Sequence, residues 1–391
     1  MNRFFNFLVY LVFLTTPLES ITLFRGFSIV KLFTIILLLA TALKKWKEFI
    51  IRDSFLILSL IYTFLTIISY LWSIDKDATG RASLLMVLPS YIVTLIIFNS
   101  LNEKVQIERI FFAYVFGCAI AAVYAVYLFA TGFRFIEDSR LTVLGQDQNE
   151  LSFLLSFGIV SIIYLLKYTK PKAILKILLL VLAFLYAFIV LTTGSRTGFV
   201  MLLSIVSILV FTSFKRGKVI YIAPMILIVG FLLFKYVPTS TSSRLFETAD
   251  QIRDLNLTGR VNIWEMGMSA FKKKDAYLLG TGFHTFSSLL EQEYGIPRNP
   301  HNTYLSTFIG LGVLGLLLFL GMIISLLRKV YYLCKYDSFF YILLILPMLI
   351  IMITIGTETR RWLLLIGVII IKIWQFSKEA VPISPSLSNK T

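Results

Sequence analysis

The chain has 391 residues, 58% of them apolar and only 15% charged, with a mean hydropathy of +0.85. An ordinary soluble domain carries roughly 25% charged residues, so a water-soluble fold is excluded. The formal net charge of +16 lies on Lys and Arg in short stretches between apolar runs, which is the pattern of membrane topology, and no nucleic-acid partner is expected.

Apolar runs near the 20 residues that a helix needs to cross a bilayer occur at about 4–23, 27–43, 54–72, 82–99, 109–131, 150–167, 173–192, 198–214, 219–237, 302–327, 338–356 and 361–376. They predict an all-α polytopic membrane protein of about twelve transmembrane helices, with residues 1–380 as one membrane domain and 381–391 as a disordered tail. The first run continues through Thr15 to Ile21 without a small-x-small cleavage site and reads as an uncleaved helix. Alternate loops carry the basic residues: Lys44, Lys45, Lys47 and Arg52, then Lys104, Lys170 and Lys172, Lys215, Arg216 and Lys218, and Arg328, Lys329 and Lys335. By the positive-inside rule these loops and both termini are cytoplasmic. The stretch 238–301 is then a large outer loop, with helical patterning at 258–273 and 285–294. A loop of this length and polarity is where a site is expected.

The polar residues that interrupt the apolar pattern fall on that outer face. Arg140 and the cluster Gln146, Asp147, Gln148, Asn149 and Glu150 precede the sixth run. Thr193, Gly194, Ser195, Arg196, Thr197 and Gly198 separate the seventh and eighth. An arginine at that depth either snorkels to the interface or clamps an anion, and its small neighbours would let a bulky ligand approach. Gly259, Arg260 and Trp264 open the first loop helix, where a guanidinium and free backbone amides could receive an anion together. Gly280 and Gly282 mark a turn and, alone, no more. Pro300, His301 and Asn302 open the tenth run, followed by the small-residue ridge Gly310, Gly312 and Gly315. A histidine at the mouth of a membrane helix is placed to exchange a proton with a substrate at the interface. Glu358, Arg360, Arg361 and Trp362 precede the last run, as functional groups or interfacial anchors. Cys118 and Cys334 and the two histidines make no disulfide framework and no metal-ligand spacing.

Arg196 between two helices, Arg260 near the start of a long loop, and His301–Asn302 before a glycine-bearing helix together resemble the O-antigen ligase and polymerase superfamily over about residues 130–375. The resemblance implies a metal-independent membrane glycosyltransferase, without cofactor, that moves a glycan from an undecaprenyl pyrophosphate carrier to an acceptor on the outer face of the bacterial inner membrane. His301 would activate the acceptor hydroxyl, Arg196 and Arg260 would hold the pyrophosphate, and Arg360 or Arg361 would add to the positive field. Arg140, Gln146, Asn149, Trp264 and Asn302 would contact the glycan. The short stretch 132–149 favours a ligase, whose acceptor is the lipid A core, over a polymerase, whose acceptor is another carrier-linked oligosaccharide. A transporter of lipid-linked sugars is a third reading, disfavoured by polar residues that gather at one face and by the lack of an internal repeat.

Overall fold

The computed structural model describes residues 2–19, 22–24, 27–43, 50–131, 147–214, 260–336 and 338–380. Arg140, Gln146, the ninth run at 219–237, the start of the large loop and the tail at 381–391 lie outside the described residues. Helices dominate in chain order: α1 (Asn2–Thr15), α2 (Ile29–Leu43), α3 (Ser54–Ile68), α4 (Lys76–Ala82), α5 (Leu88–Ser100), α6 (Lys104–Ala130), α7 (Gln148–Tyr168), α8 (Ala173–Thr192), α9 (Arg196–Phe214), α10 (Arg260–Lys274), α11 (Phe286–Tyr294), α12 (Thr303–Tyr336), α13 (Ile342–Thr354) and α14 (Arg361–Ala380). Among the described residues six helices are long and apolar enough to cross a bilayer, and four apolar helices are shorter. The chain is a multi-pass membrane protein.

The N-terminal run departs from a single helix over 4–23. Helix α1 ends at Thr15, and Pro17, which cannot donate a backbone hydrogen bond, sits in a short 3-10 turn at Thr16–Leu18. A two-stranded antiparallel hairpin, β1 (Thr22–Phe24) with β2 (Phe27–Ser28), follows before α2. The fourth run also begins earlier than its apolar pattern: Asp75 caps α4 by accepting from the Ala78 amide at 2.9 Å, and a π-helical stretch at Ser83–Val87 joins α4 to α5.

Helix α7 is central, packed against α6, α8, α9 and α13. Its Phe153, Phe157 and Tyr164 are almost fully buried. In lipid such packing is held by van der Waals contact and interhelical hydrogen bonds rather than by exclusion of water, and both occur here. The Tyr114 hydroxyl of α6 donates to Leu154 O at 3.1 Å, and Tyr186 of α8 donates to Val115 O at 2.6 Å.

Helix α12 is broken at Gly312, whose φ of 65° and ψ of −164° interrupt the helical ladder. The backbone groups freed by the break are paired with the segment that follows α10. Thr281 N and Gly282 N donate to Ile309 O and Gly310 O at 2.9 Å each, and Val313 N and Leu314 N donate to Tyr277 O and Leu278 O at 2.9 and 3.3 Å. Irregular backbone at membrane depth is tolerated only when it is satisfied by protein in this way. A side chain at 312 would place its Cβ 2.3 Å from Leu278 O on a backbone that disfavours L residues. Gly312→Ala is therefore expected to cost about 2–4 kcal/mol, read as a fall in the thermal unfolding midpoint of the detergent-solubilised protein. Gly321→Ala, further along α12 and 3.3 Å from only a flexible Leu58 methyl, is the matched control.

Candidate active site

The turn that carries Arg196 is built by its own sequence. Helix α8 closes with Gly194 in the left-handed conformation, φ 65°, its amide donating to Leu191 O at 3.2 Å. Ser195 then caps α9: its Oγ accepts from the Gly198 amide at 3.0 Å and donates to Asn149 Oδ1 at 2.7 Å. Ser152 and Thr193 share a further hydrogen bond of 2.9 Å, and a Cβ at Gly198 would lie 2.6 Å from Ser152 Cβ. The small residues at 193–198 thus serve the junction of α7, α8 and α9. They set Arg196 at the first position of α9, half-buried, with no carboxylate partner among the described residues.

Helix α10 begins at Arg260, which is half-buried. One turn on, the Trp264 indole donates to Pro300 O at 2.6 Å and ties α10 to the entry of α12. Asn302 caps α12, its Oδ1 accepting from Leu305 N at 3.0 Å. Thr303 anchors the same entry to the turn between α13 and α14: its hydroxyl donates to Ile355 O at 2.7 Å and accepts from Thr357 N at 2.9 Å. Between these fixed points His301 adopts φ 47°, a left-handed conformation that few non-glycine residues take and that gathers at functional sites. Burial and the neighbouring Arg260 guanidinium push the His301 imidazole below its ordinary pKa, against a smaller opposing pull from Asp147. His301, Arg260 and Asp147 are therefore electrostatic neighbours. Asn149, in the first turn of α7, is engaged by Ser195, and Asp147 just before it acts electrostatically on His301.

The arginine doublet is divided. Arg361 turns inward, its Nη1 donating to Thr34 Oγ1 at 2.7 Å and its Nε lying 3.1 Å from Glu19 Oε1. Arg360 keeps a partly exposed guanidinium, 3.0 Å from Glu150 Oε2.

Sequence reasoning passed over the pair beside it. Buried Glu358 accepts from Ser306 Oγ at 2.6 Å and lies 3.4 Å from His284 Nδ1. Burial alone would raise the Glu358 carboxyl, but His284 and Ser306 outweigh it and hold it below the usual carboxylate range. The hydrogen bond to Glu358 raises the His284 imidazole in turn, against its own burial. The two histidines are thus driven apart, His301 toward the neutral form and His284 toward the charged one. His284 also lines a cavity of about 340 Å³ with Asp75, Arg81, Ser288 and Asn299. Only the spatial meeting of positions 284, 306 and 358 reveals this pair, and no local motif encodes it.

The linkage follows from the signs. His284's contribution to stability is complete below its unfolded pKa and is lost as pH rises through the raised folded value. Glu358's is present above its unfolded pKa and is lost as pH falls through the lowered folded value. The pair stabilises most between about pH 4.5 and 6.5. Glu358→Gln should lower the unfolding midpoint within that window and flatten its dependence on pH just below and just above it.

Among the described residues no three His, Cys, Asp or Glu side chains converge as a metal-binding group. No curated protein matches the chain. Residues 181–320, somewhat more than a third of the length, match a family described as O-antigen ligase. The matched segment contains Arg196, Arg260 and His301 and ends before Arg360 and Arg361. The match supports placing the chain in the O-antigen ligase and polymerase superfamily.

Proposed function

We propose that the protein is a membrane glycosyltransferase that moves a glycan from an undecaprenyl pyrophosphate carrier to an acceptor hydroxyl, and that it acts as an O-antigen ligase with the lipid A core as acceptor. The observation that carries this reading is the placement of His301: an imidazole kept toward its neutral form, next to Arg260, at the fixed entry of α12. A neutral imidazole can take the proton of an attacking hydroxyl, a contribution of roughly 10²- to 10⁴-fold. As the acceptor oxygen bonds to the anomeric carbon, the bond to the phosphate oxygen breaks and charge collects on the pyrophosphate. Arg196 and Arg260 bind that charge more strongly as it develops and so lower the barrier, and Arg360, partly exposed beside Glu150, adds to the positive field. Arg361, already engaged by Glu19 and Thr34, serves structure instead. Direct attack inverts the anomeric centre.

The cavity beside His284 suits the acceptor glycan, because Asn299 in its wall is two residues from His301 and its lining of carboxylate, guanidinium, hydroxyl and amide groups matches sugar hydroxyls. The topology belongs to the same proposal: twelve spans in a bacterial inner membrane, both termini cytoplasmic, and the loop 238–301 with the site on the outer face.

Purified protein incubated with a carrier-linked oligosaccharide and a lipid A core acceptor should yield the glycosylated core with inverted configuration, identified by mass and NMR. Carrier-linked dimers with an untouched core would reassign the protein as a polymerase. No product with either acceptor would refute the transferase reading.

A further inference from the structure

At the end of α12 remote from His301, α3, α12 and α14 enclose a cavity of about 560 Å³ that the transferase reading does not use. Its floor is apolar, made by Leu58, Gly321 and Ile324, with Ile324 exposed. Its walls are Tyr332 and Trp374, whose rings meet edge to face at 6.4 Å. Its rim is cationic: Arg328, Lys329 and Lys378.

These cations are held in two ways. Lys329 is buried and built in, 3.2 Å from Asp53 Oδ1 and donating to Ser325 Oγ at 2.9 Å. Lys378 rests on the Trp374 ring at 4.2 Å and lies 5.5 Å from the Tyr332 ring, while Arg328 is exposed. Neither Arg328 nor Lys378 has a carboxylate partner among the described residues. With Asp53 balancing Lys329, the two other cations at the rim have no acidic group at ion-pair distance among the described residues.

Positive-inside topology accounts for basic residues on this face, but not for their convergence over an aromatic-walled hollow whose far end is apolar and partly exposed. That gradient, cation to aromatic to hydrocarbon, matches an amphiphile with an anionic head.

We propose that this cavity binds an anionic phospholipid, its phosphate at Arg328 and Lys378 and its first acyl segment along Leu58 and Ile324.

Native mass spectrometry of the full-length protein, with defined lipids added in detergent, tests this directly. Phosphatidylglycerol should be retained at least tenfold better than phosphatidylcholine, and millimolar inorganic phosphate should not displace it. Each rim cation near an anionic headgroup contributes roughly fivefold, so the double variant Arg328→Ala/Lys378→Ala should weaken phosphatidylglycerol binding about 25-fold. Trp374→Leu, which keeps every charge, should weaken it less while leaving the preference over phosphatidylcholine. Equal retention of the two lipids, or undiminished binding by the double variant, would overturn the proposal. Full displacement by inorganic phosphate would overturn the lipid assignment in favour of a simple anion site. Lys329 is left intact, since its removal would strand buried Asp53 and confuse binding with folding.

Discussion

His301→Asn should fold as the native protein does and transfer glycan roughly 10²- to 10⁴-fold more slowly, the range lost with a general base. Asn is the informative replacement because position 301 has φ 47°, a region that Asn tolerates and Ala does not. An inactive Ala variant would leave strain and chemistry mixed; an inactive Asn variant with an unchanged unfolding midpoint separates them. In the unsubstituted enzyme the base must be unprotonated, so kcat/KM should fall as pH drops through the His301 pKa. Burial and Arg260 lower that pKa, so the acid limb should lie below the ordinary imidazole value of about 6.5. A pH profile unchanged in His301→Asn, or full activity, would remove the residue from its role.

Arg260→Ala should lower kcat by roughly 10²- to 10³-fold, as when one donor to a developing oxyanion is lost, and Arg196→Ala should do the same. The Arg260 variant carries a second signature. Its guanidinium lowers the His301 pKa, so its removal raises that pKa and moves the acid limb of whatever activity remains to higher pH. Arg260→Lys keeps the charge and should keep the limb in place, yet lose rate because an ammonium cannot make the bidentate contact to phosphate oxygens. Arg196→Ala should leave the limb unmoved. Steady-state rates over pH for the three variants test both parts. Full activity in both Ala variants would dismiss the clamp.

Much of this arrangement was legible in the sequence because it is local. Helix-length apolar runs, the start of α10 at Arg260 and the entry of α12 after Asn302 follow from periodicity and capping within a few residues. What stayed hidden depends on contacts between distant positions. Gly310, Gly312 and Gly315 look alike as a small-residue ridge, and only pairing with Tyr277–Gly282 shows that the helix breaks at Gly312. Likewise Glu358 reads as one charge in an interfacial cluster until folding brings Ser306 and His284 to it. The true start of α4 at Lys76 was obscured because Lys76, Asp77 and Arg81 carry no apolar signal.

The stitching of Tyr277–Gly282 into the break of α12 also restricts how the enzyme can work. Both ends of the chain between that seam and Thr303 are pinned, one by four main-chain hydrogen bonds and the other by the Thr303 hydroxyl. The main chain that carries His301 is therefore anchored on both sides. In the transfer proposed above, the acceptor would come to a base whose backbone is already in place, so the scaffold meets its substrate preformed at this point of the chain.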